Sequence, residues 1–200
     1  MLPSTIKSRP VYAGLRAVAA ARSNLVAMEA AGARAVLRMI TDAPAGFAGR
    51  TQLLYADEGG PSDDLDGLRG LHARRLEVVP GPDEVLRLLD ALLGTATMGT
   101  RLYAAGSEGF IGRVVRLGTE HGIDHKSVLT EHSGSLARRV QCVHCKHVNE
   151  RVTVSIFECE GCGILLFVRD HYSRRLAAFQ GVCVNAEDPT ERPVAEEVYR

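Results

Sequence analysis

Five cysteines occur in the 200 residues, and four of them form two pairs of identical spacing. Cys142-Val143-His144-Cys145 and Cys159-Glu160-Gly161-Cys162 are separated by thirteen residues. A CxxC places two thiolates on one tight turn. Two such turns facing each other supply four sulfurs at the corners of a tetrahedron, the geometry of a closed structural zinc site. Four thiolates suit iron as well, which keeps that ion as the alternative. A filled coordination sphere leaves no position for water, so the expected role of the metal is to hold the fold and not to act as a Lewis acid. His144 and His147 lie close enough in sequence to replace a thiolate, but with four cysteines at hand they read as outer neighbours or solvent-facing groups. Cys183 is the spare and reads as a buried apolar thiol.

Two other cysteine chemistries fit less well. Disulfides are disfavoured by the odd count and by the lack of a secretory segment. A redox CxxC of the thioredoxin kind would lie between a strand and a helix of a βαβ unit, and neither pair does. Instead, residues 151–157 place Val152, Val154 and Ile156 at period two, which reads as a strand running from one turn to the next. Ile164-Leu165-Leu166-Phe167-Val168 reads as the returning strand. This is the layout of a zinc ribbon, spanning residues 136–200 with a polar, partly disordered tail after Asn185.

The first 135 residues alternate strand and helix patterns. Strands are expected at Asn24-Leu25-Val26-Ala27-Met28, residues 51–56, Leu76-Glu77-Val78-Val79, residues 101–106 and Val128-Leu129-Thr130-Glu131. Between them, Ala33, Val36, Leu37 and Ile40 recur at helical spacing, and residues 65–71 suggest a helical turn. Gly81-Pro82-Asp83-Glu84 opens a helix with the stripe Val85, Leu86, Leu89, Leu92 and Leu93, which Gly94 should end. Ser107 is the candidate N-cap of a helix carrying Phe110, Ile111, Val114, Leu117 and Gly118, closed by Gly122. The alternation predicts an α/β fold, a small parallel sheet covered on both faces. Its first turn, Glu29-Ala30-Ala31-Gly32, has one glycine and no G-x-G-x-x-G, and Glu29 would repel a phosphate. Asp57 and Glu58 stand where a ribose-binding acid would be expected, but a working dinucleotide site is not the reading these residues favour.

Composition narrows the field. A hydrophobic content of 46% supports one sound core and a satellite module. Net charge is zero and the pI is about 7.1, so the basic excess of a nucleic-acid binder is missing. Residues 1–10 hold no apolar h-region, and nothing approaches the ~20 apolar residues of a membrane span. The expectation is a cytoplasmic chain with reduced thiols, no membrane and no nucleic-acid partner.

Residues 99–110, Gly-Thr-Arg-Leu-Tyr-Ala-Ala-Gly-Ser-Glu-Gly-Phe, resemble the last strand–helix unit of ferredoxin-reductase nucleotide-binding domains, with Ala105 in place of a cysteine and Ser107 in place of a proline. A broader resemblance begins at Leu136-Ala137-Arg138-Arg139-Val140. It continues through both CxxC turns and residues 168–179, with the block His171-Tyr172-Ser173-Arg174-Arg175-Leu176, and reaches Gly181-Val182 and Ala186-Glu187. These residues are similar to the small, DmmA-type subunit of bacterial dimethylamine monooxygenase. The resemblance implies membership of an NADPH-dependent, multi-subunit complex that demethylates dimethylamine to methylamine and formaldehyde. Flavin, iron–sulfur and haem-type redox chemistry would then belong to partner subunits.

The residues themselves show no nucleophile–base pair, carboxylate dyad or open metal site, which fits a non-catalytic subunit. His121 and His125 flank the helix-ending Gly122 and need not share a face. Ser173 is expected to cap a short helix with Leu176 and Phe179 packing inward. Arg169, His171, Tyr172, Arg174 and Arg175 would then form a cationic, partly aromatic surface for docking on an acidic partner subunit. A solvated basic face balancing Glu158 and Glu160 is the plainer reading of the same block. Two other functions stay open: a rubredoxin-like electron carrier for an oxygenase, and a zinc-ribbon adaptor or regulator without redox role.

Overall fold

The computed structural model describes residues 8–59, 62–188 and 190–199. Most of the N-terminal stretch read above for an h-region, and Pro189 of the tail, lie outside the described residues. The chain divides into two compact units. One is Tyr12–Gly134, and the other is Ser135–Arg200 together with the segment up to Val11.

The first unit is α/β. In chain order it runs β1 (Ser23–Glu29), α1 (Ala33–Thr41), β2 (Thr51–Ala56), α2 (Ser62–Gly70), β3 (Arg75–Val79), α3 (Pro82–Leu93), β4 (Thr100–Gly106), α4 (Glu108–Glu120) and β5 (Leu129–His132). All five strands are parallel, in the order β3-β2-β1-β4-β5. Side chains alternate across a strand, so each central strand feeds two cores. Val26, Met28, Leu53, Tyr55 and Tyr103 pack with Val36, Met39 and Leu68 of α1 and α2. Leu25, Ala27, Leu54, Leu102 and Ala104 pack with Val85, Leu89, Phe110 and Val114 of α3 and α4.

The helix signals work as their chemistry requires. Ser107 Oγ accepts the Phe110 N–H at 3.3 Å, capping α4. At its other end Gly122 has φ +82°, and Ile123 N–H reaches back to the Gly118 carbonyl at 2.8 Å, which satisfies a terminal carbonyl through a left-handed residue. Gly94 follows α3 but keeps a right-handed φ of −59°, so that helix stops without a left-handed cap.

The second unit is a sheet of order β7-β6-β11-β10-β9, built from β6 (Arg138–Cys142), β7 (Val148–Val152), β9 (Phe157–Glu158), β10 (Leu165–Ser173) and β11 (Ala178–Cys183). A short pair, β8 (Val154–Ser155) with β12 (Glu196–Glu197), stands apart from it. Two expectations need correction here. The strand expected over 151–157 is broken, because Arg151 and Ile156 take φ values of +51° and +87° and turn the chain out of one plane.

The helix expected after Ser173 is instead the turn of a β10–β11 hairpin. Ser173 Oγ does accept the Leu176 N–H at 3.3 Å, as a cap would, but Ala177 at φ +51° reverses the chain and β11 pairs with β10. One helical turn cannot match a ladder of strand hydrogen bonds. Part of the polar tail is paired. Glu196 and Glu197 pair with Ser155 and Val154, and Tyr199 is buried beside Val140, Val152, Val168 and Phe179. The segment that ends at Val11 groups with this second unit. The register of the hairpin shifts between Arg169 and Tyr172, Ser8 Oγ accepts the Tyr172 N–H at 3.3 Å, and Arg9 pairs with Asp170 at 3.7 Å.

Candidate metal centre

Each CxxC sits on a turn between two antiparallel strands, and the two turns close in the same way. Cys142 N–H donates to the His147 carbonyl at 2.9 Å, and Lys146 N–H to the Cys142 carbonyl at 3.0 Å. In the second turn Cys159 N–H donates to the Ile164 carbonyl at 2.9 Å, and Gly163 N–H to the Cys159 carbonyl at 2.8 Å. The residue after each second cysteine is left-handed, Lys146 at φ +67° and Gly163 at φ +73°. Glycine takes that conformation freely, whereas lysine does so at a cost the closed turn must offset. Gly161 is required for a different reason. A Cβ there would lie 2.6 Å from His147 Cβ and 3.2 Å from Cys145 Sγ, so only glycine lets the two turns approach.

The approach brings all four sulfurs within 4.8 Å of one another. Cys142 Sγ lies 3.9 Å from Cys162 Sγ, and Cys145 Sγ lies 3.7 Å from Cys159 Sγ. A zinc–sulfur bond of ~2.3 Å gives a tetrahedral edge of ~3.8 Å, while a disulfide needs ~2.05 Å, so the spacing fits metal ligation and excludes disulfides in this state. Cys142 and Cys159 are buried, Cys162 is half-buried and Cys145 is exposed, so the cluster has a dry side and an open edge.

Electrostatics separates the sulfurs. Burial pushes the Cys159 thiol up, but the Gly161 and Cys162 amides, with Cys145 and Asn149, bring it down to about 7. The Ile164 amide lowers the Cys162 thiol, yet desolvation and the other three sulfurs push it up to about 12. Desolvation likewise raises Cys142 against the amides of Cys145 and His144. Four thiolates cannot share so small a volume without a cation, and binding a divalent metal would displace the protons.

Asn149 is the residue that spacing alone did not single out. It is 1% exposed. Its Nδ2 donates to the Val140 carbonyl at 3.2 Å and points at Cys159 Sγ at 3.8 Å, while its Oδ1 accepts the Glu160 N–H at 2.9 Å. One amide therefore ties the strand entering the first turn to the backbone of the second. No local signal marks it, because the next two residues, Glu150 and Arg151, are exposed and its partners lie on other segments.

His144 and His147 are exposed and outside the cluster, with His147 Nε2 3.6 Å from Glu160. Cys183 is half-buried rather than buried, its Sγ 3.6 Å from Asn185 Oδ1. His121 and His125 do not converge: the first meets Asp90 at 2.6 Å and the second Asp124 at 3.2 Å.

The basic block divides between two settings. Arg169 and His171 are exposed on β10, and Arg174 and Arg175 are exposed on the hairpin turn. Tyr172 is half-buried, its ring edge-on to Phe179 at 5.0 Å. Among the described residues no ion pair joins Arg169, Arg174 or Arg175 to Glu158 or Glu160. The cation that is buried in this unit is Arg138, whose side chain is 4% exposed. It bonds Asp170 at 2.9 Å and lies between the rings of Phe179 and Tyr199, 3.9 and 4.1 Å from their centroids.

No helix among the described residues is long and apolar enough to cross a membrane. The chain is similar over 110 residues, at 32% identity, to the heme-dependent oxidative N-demethylase delta subunit of Ectopseudomonas mendocina (strain ymp); the match covers 55% of this chain and 63% of that one. Two solved structures resemble it more distantly. The siderophore-interacting protein SipS of Aeromonas hydrophila is 17% identical with a TM-score of 0.41, covering 58% of this chain and 52% of that one. Phthalate dioxygenase reductase, described as carrying electrons from pyridine nucleotides to an iron–sulfur centre, is 15% identical with a TM-score of 0.41, covering 72% and 46%. Residues 4–128 match the N-terminal domain, and residues 139–182 the C-terminal domain, of the DmmA-like dimethylamine monooxygenase subunit family. With both of its domains matched in order, the chain belongs to the DmmA-like family.

Proposed function

We propose that this chain is an accessory, non-catalytic subunit of a multi-subunit, NADPH-dependent monooxygenase that demethylates dimethylamine. In this reading flavin, iron–sulfur and haem-type redox groups reside on partner subunits. The observation that carries it is the closed set of four sulfurs. Cys142, Cys145, Cys159 and Cys162 would hold one zinc ion, and the protein groups around them bind and orient but offer substrate no open position. When bound, the ion supplies a crosslink between two turns and neutralises their thiolates. Binding in such sites is worth on the order of 10 kcal/mol, enough to decide whether so small a unit folds. Asn149 aims the second turn, and Gly161 permits the close approach.

The exposed cations Arg169, His171, Arg174 and Arg175 are the proposed docking surface for an acidic face of a partner subunit, with Tyr172 packed beneath them on Phe179. The test is co-purification with the complex. The double variant Arg174→Glu/Arg175→Glu should lose its partners and lower amine turnover, and unchanged co-purification and turnover would sink the docking role.

Iron in the same four sulfurs is the second reading, since four thiolates in this arrangement suit either metal. Metal analysis of the purified protein decides between them. Zinc leaves it colourless, whereas iron makes it red and an electron carrier.

A further inference from the structure

The parallel sheet reverses its strand order between β1 and β4. In open α/β sheets that reversal creates the crevice where dinucleotides lie, with phosphates against a glycine-rich turn and a helix N-terminus. A pyridine nucleotide, implied by the family resemblance, would have to enter there. The residues present do not fit one.

Glu29 is the last residue of β1, and its Oε2 accepts the Ser107 N–H, the cap residue of the thirteen-residue helix α4, at 2.6 Å. The backbone is shaped around that carboxyl. Gly106 takes φ +148°, and a Cβ there would lie 2.5 Å from Glu29 Oε2. The single glycine of the β1 turn is used up as well, since a Cβ on Gly32 would collide with the Ala105 carbonyl at the end of β4. Its open side meets protein backbone where a phosphate would need to sit. Asp57, in the place of a ribose-binding acid, spends Oδ1 on the Gly59 N–H at 3.0 Å. One cavity beside the end of β1, of about 270 Å³, is lined by Ala30, Ala31, Arg34, Tyr55 and Asp64. That is below the ~300–1,000 Å³ of ordinary ligand pockets.

We infer that the α/β unit carries its own anion: the Glu29 carboxyl fills the phosphate seat at the N-terminus of α4, and the unit does not bind a pyridine dinucleotide. Burial holds this carboxyl above the usual glutamate range despite the Ser107 amide, and Glu58 adds to the same effect. An incoming phosphate would meet both acids. Reducing equivalents must therefore enter such a complex through another polypeptide.

The experiment is titration of the full chain with NADPH and with NADH, followed by calorimetry and by nicotinamide emission. The expected result is no saturable signal with either, and saturable binding in the micromolar range overturns the inference. Two variants examine the seat itself. Glu29→Gln keeps an acceptor for the Ser107 N–H and should melt at or above the wild-type temperature. Glu29→Ala strands that N–H and should melt several degrees below Glu29→Gln, or fail to fold. Equal melting of the two variants would mean that Glu29 is not seated on α4.

Discussion

Tyr199 offers a sharp test, because it follows the exposed residues 194–198 yet is only 8% exposed. Its ring closes one side of Arg138, Phe179 the other, and the Val198 and Tyr199 N–H groups both donate to the Thr153 carbonyl at 3.1 and 2.9 Å. Replacing Tyr199 by alanine removes roughly 150 Å² of buried ring surface, worth about 4 kcal/mol at ~25 cal/mol per Å². That figure is an upper bound, since the unfolded chain already hides part of this area. The cation–π contact with a desolvated guanidinium adds about 1–2 kcal/mol. Neighbouring side chains relax into part of the gap, so a net loss of about 3 kcal/mol is expected. The assay is native-state hydrogen exchange at the paired strands β6 and β11, around Val140 and Phe179. A loss of about 3 kcal/mol accelerates exchange there by about two orders of magnitude. Tyr199→Phe keeps the ring and should stay near wild type. Unchanged exchange at those amides in Tyr199→Ala would refute the packing of the tail on Arg138.

Other perturbations separate the roles of individual groups. Cys145→Ser should abolish metal retention and unfold the second unit while Tyr12–Gly134 keeps its structure, seen as a metal-free protein whose amide spectrum has lost one set of dispersed signals. Asn149→Asp keeps the acceptor for Glu160 N–H but loses the donors to Val140 and Cys159, and should release metal to a chelator with about 10–100-fold weaker affinity. A cobalt-substituted sample should also show its sulfur charge-transfer band displaced, which a purely structural defect would not produce.

Glu29→Gln carries a signed pH dependence. Because burial raises the carboxyl in the folded state, the protonated form favours folding, and that contribution is lost as pH rises through the folded-state value. The glutamine variant should therefore gain stability over wild type at pH 7, and the gap should close as pH falls toward the ordinary glutamate value of 4.5. Urea midpoints at the two pH values check it, and a gap that widens toward acid would show the opposite sign.

The local chemistry of this chain was legible without coordinates. CxxC spacing restricts two thiolates to one turn, so Cys142, Cys145, Cys159 and Cys162 could be named as one cluster able to hold a metal ion. Period-two and period-3.6 patterns located the strands and helices of the α/β unit, and Ser107, Pro82 and Gly122 marked helix ends through interactions spanning only a few residues.

What lies beyond that range was decided by pairing across the chain. Ser173 offers the same cap to a helix and to a hairpin turn, and only the ladder between β10 and β11 chooses the hairpin. The tail reads as solvent-loving because seven of residues 187–197 are acidic or proline, yet one tyrosine two positions later finds an arginine sixty-one residues upstream. Asn149 and Glu29 look like ordinary surface residues in one dimension. Their roles come from partners eleven and seventy-eight positions away, and no short window of residue types contains that information.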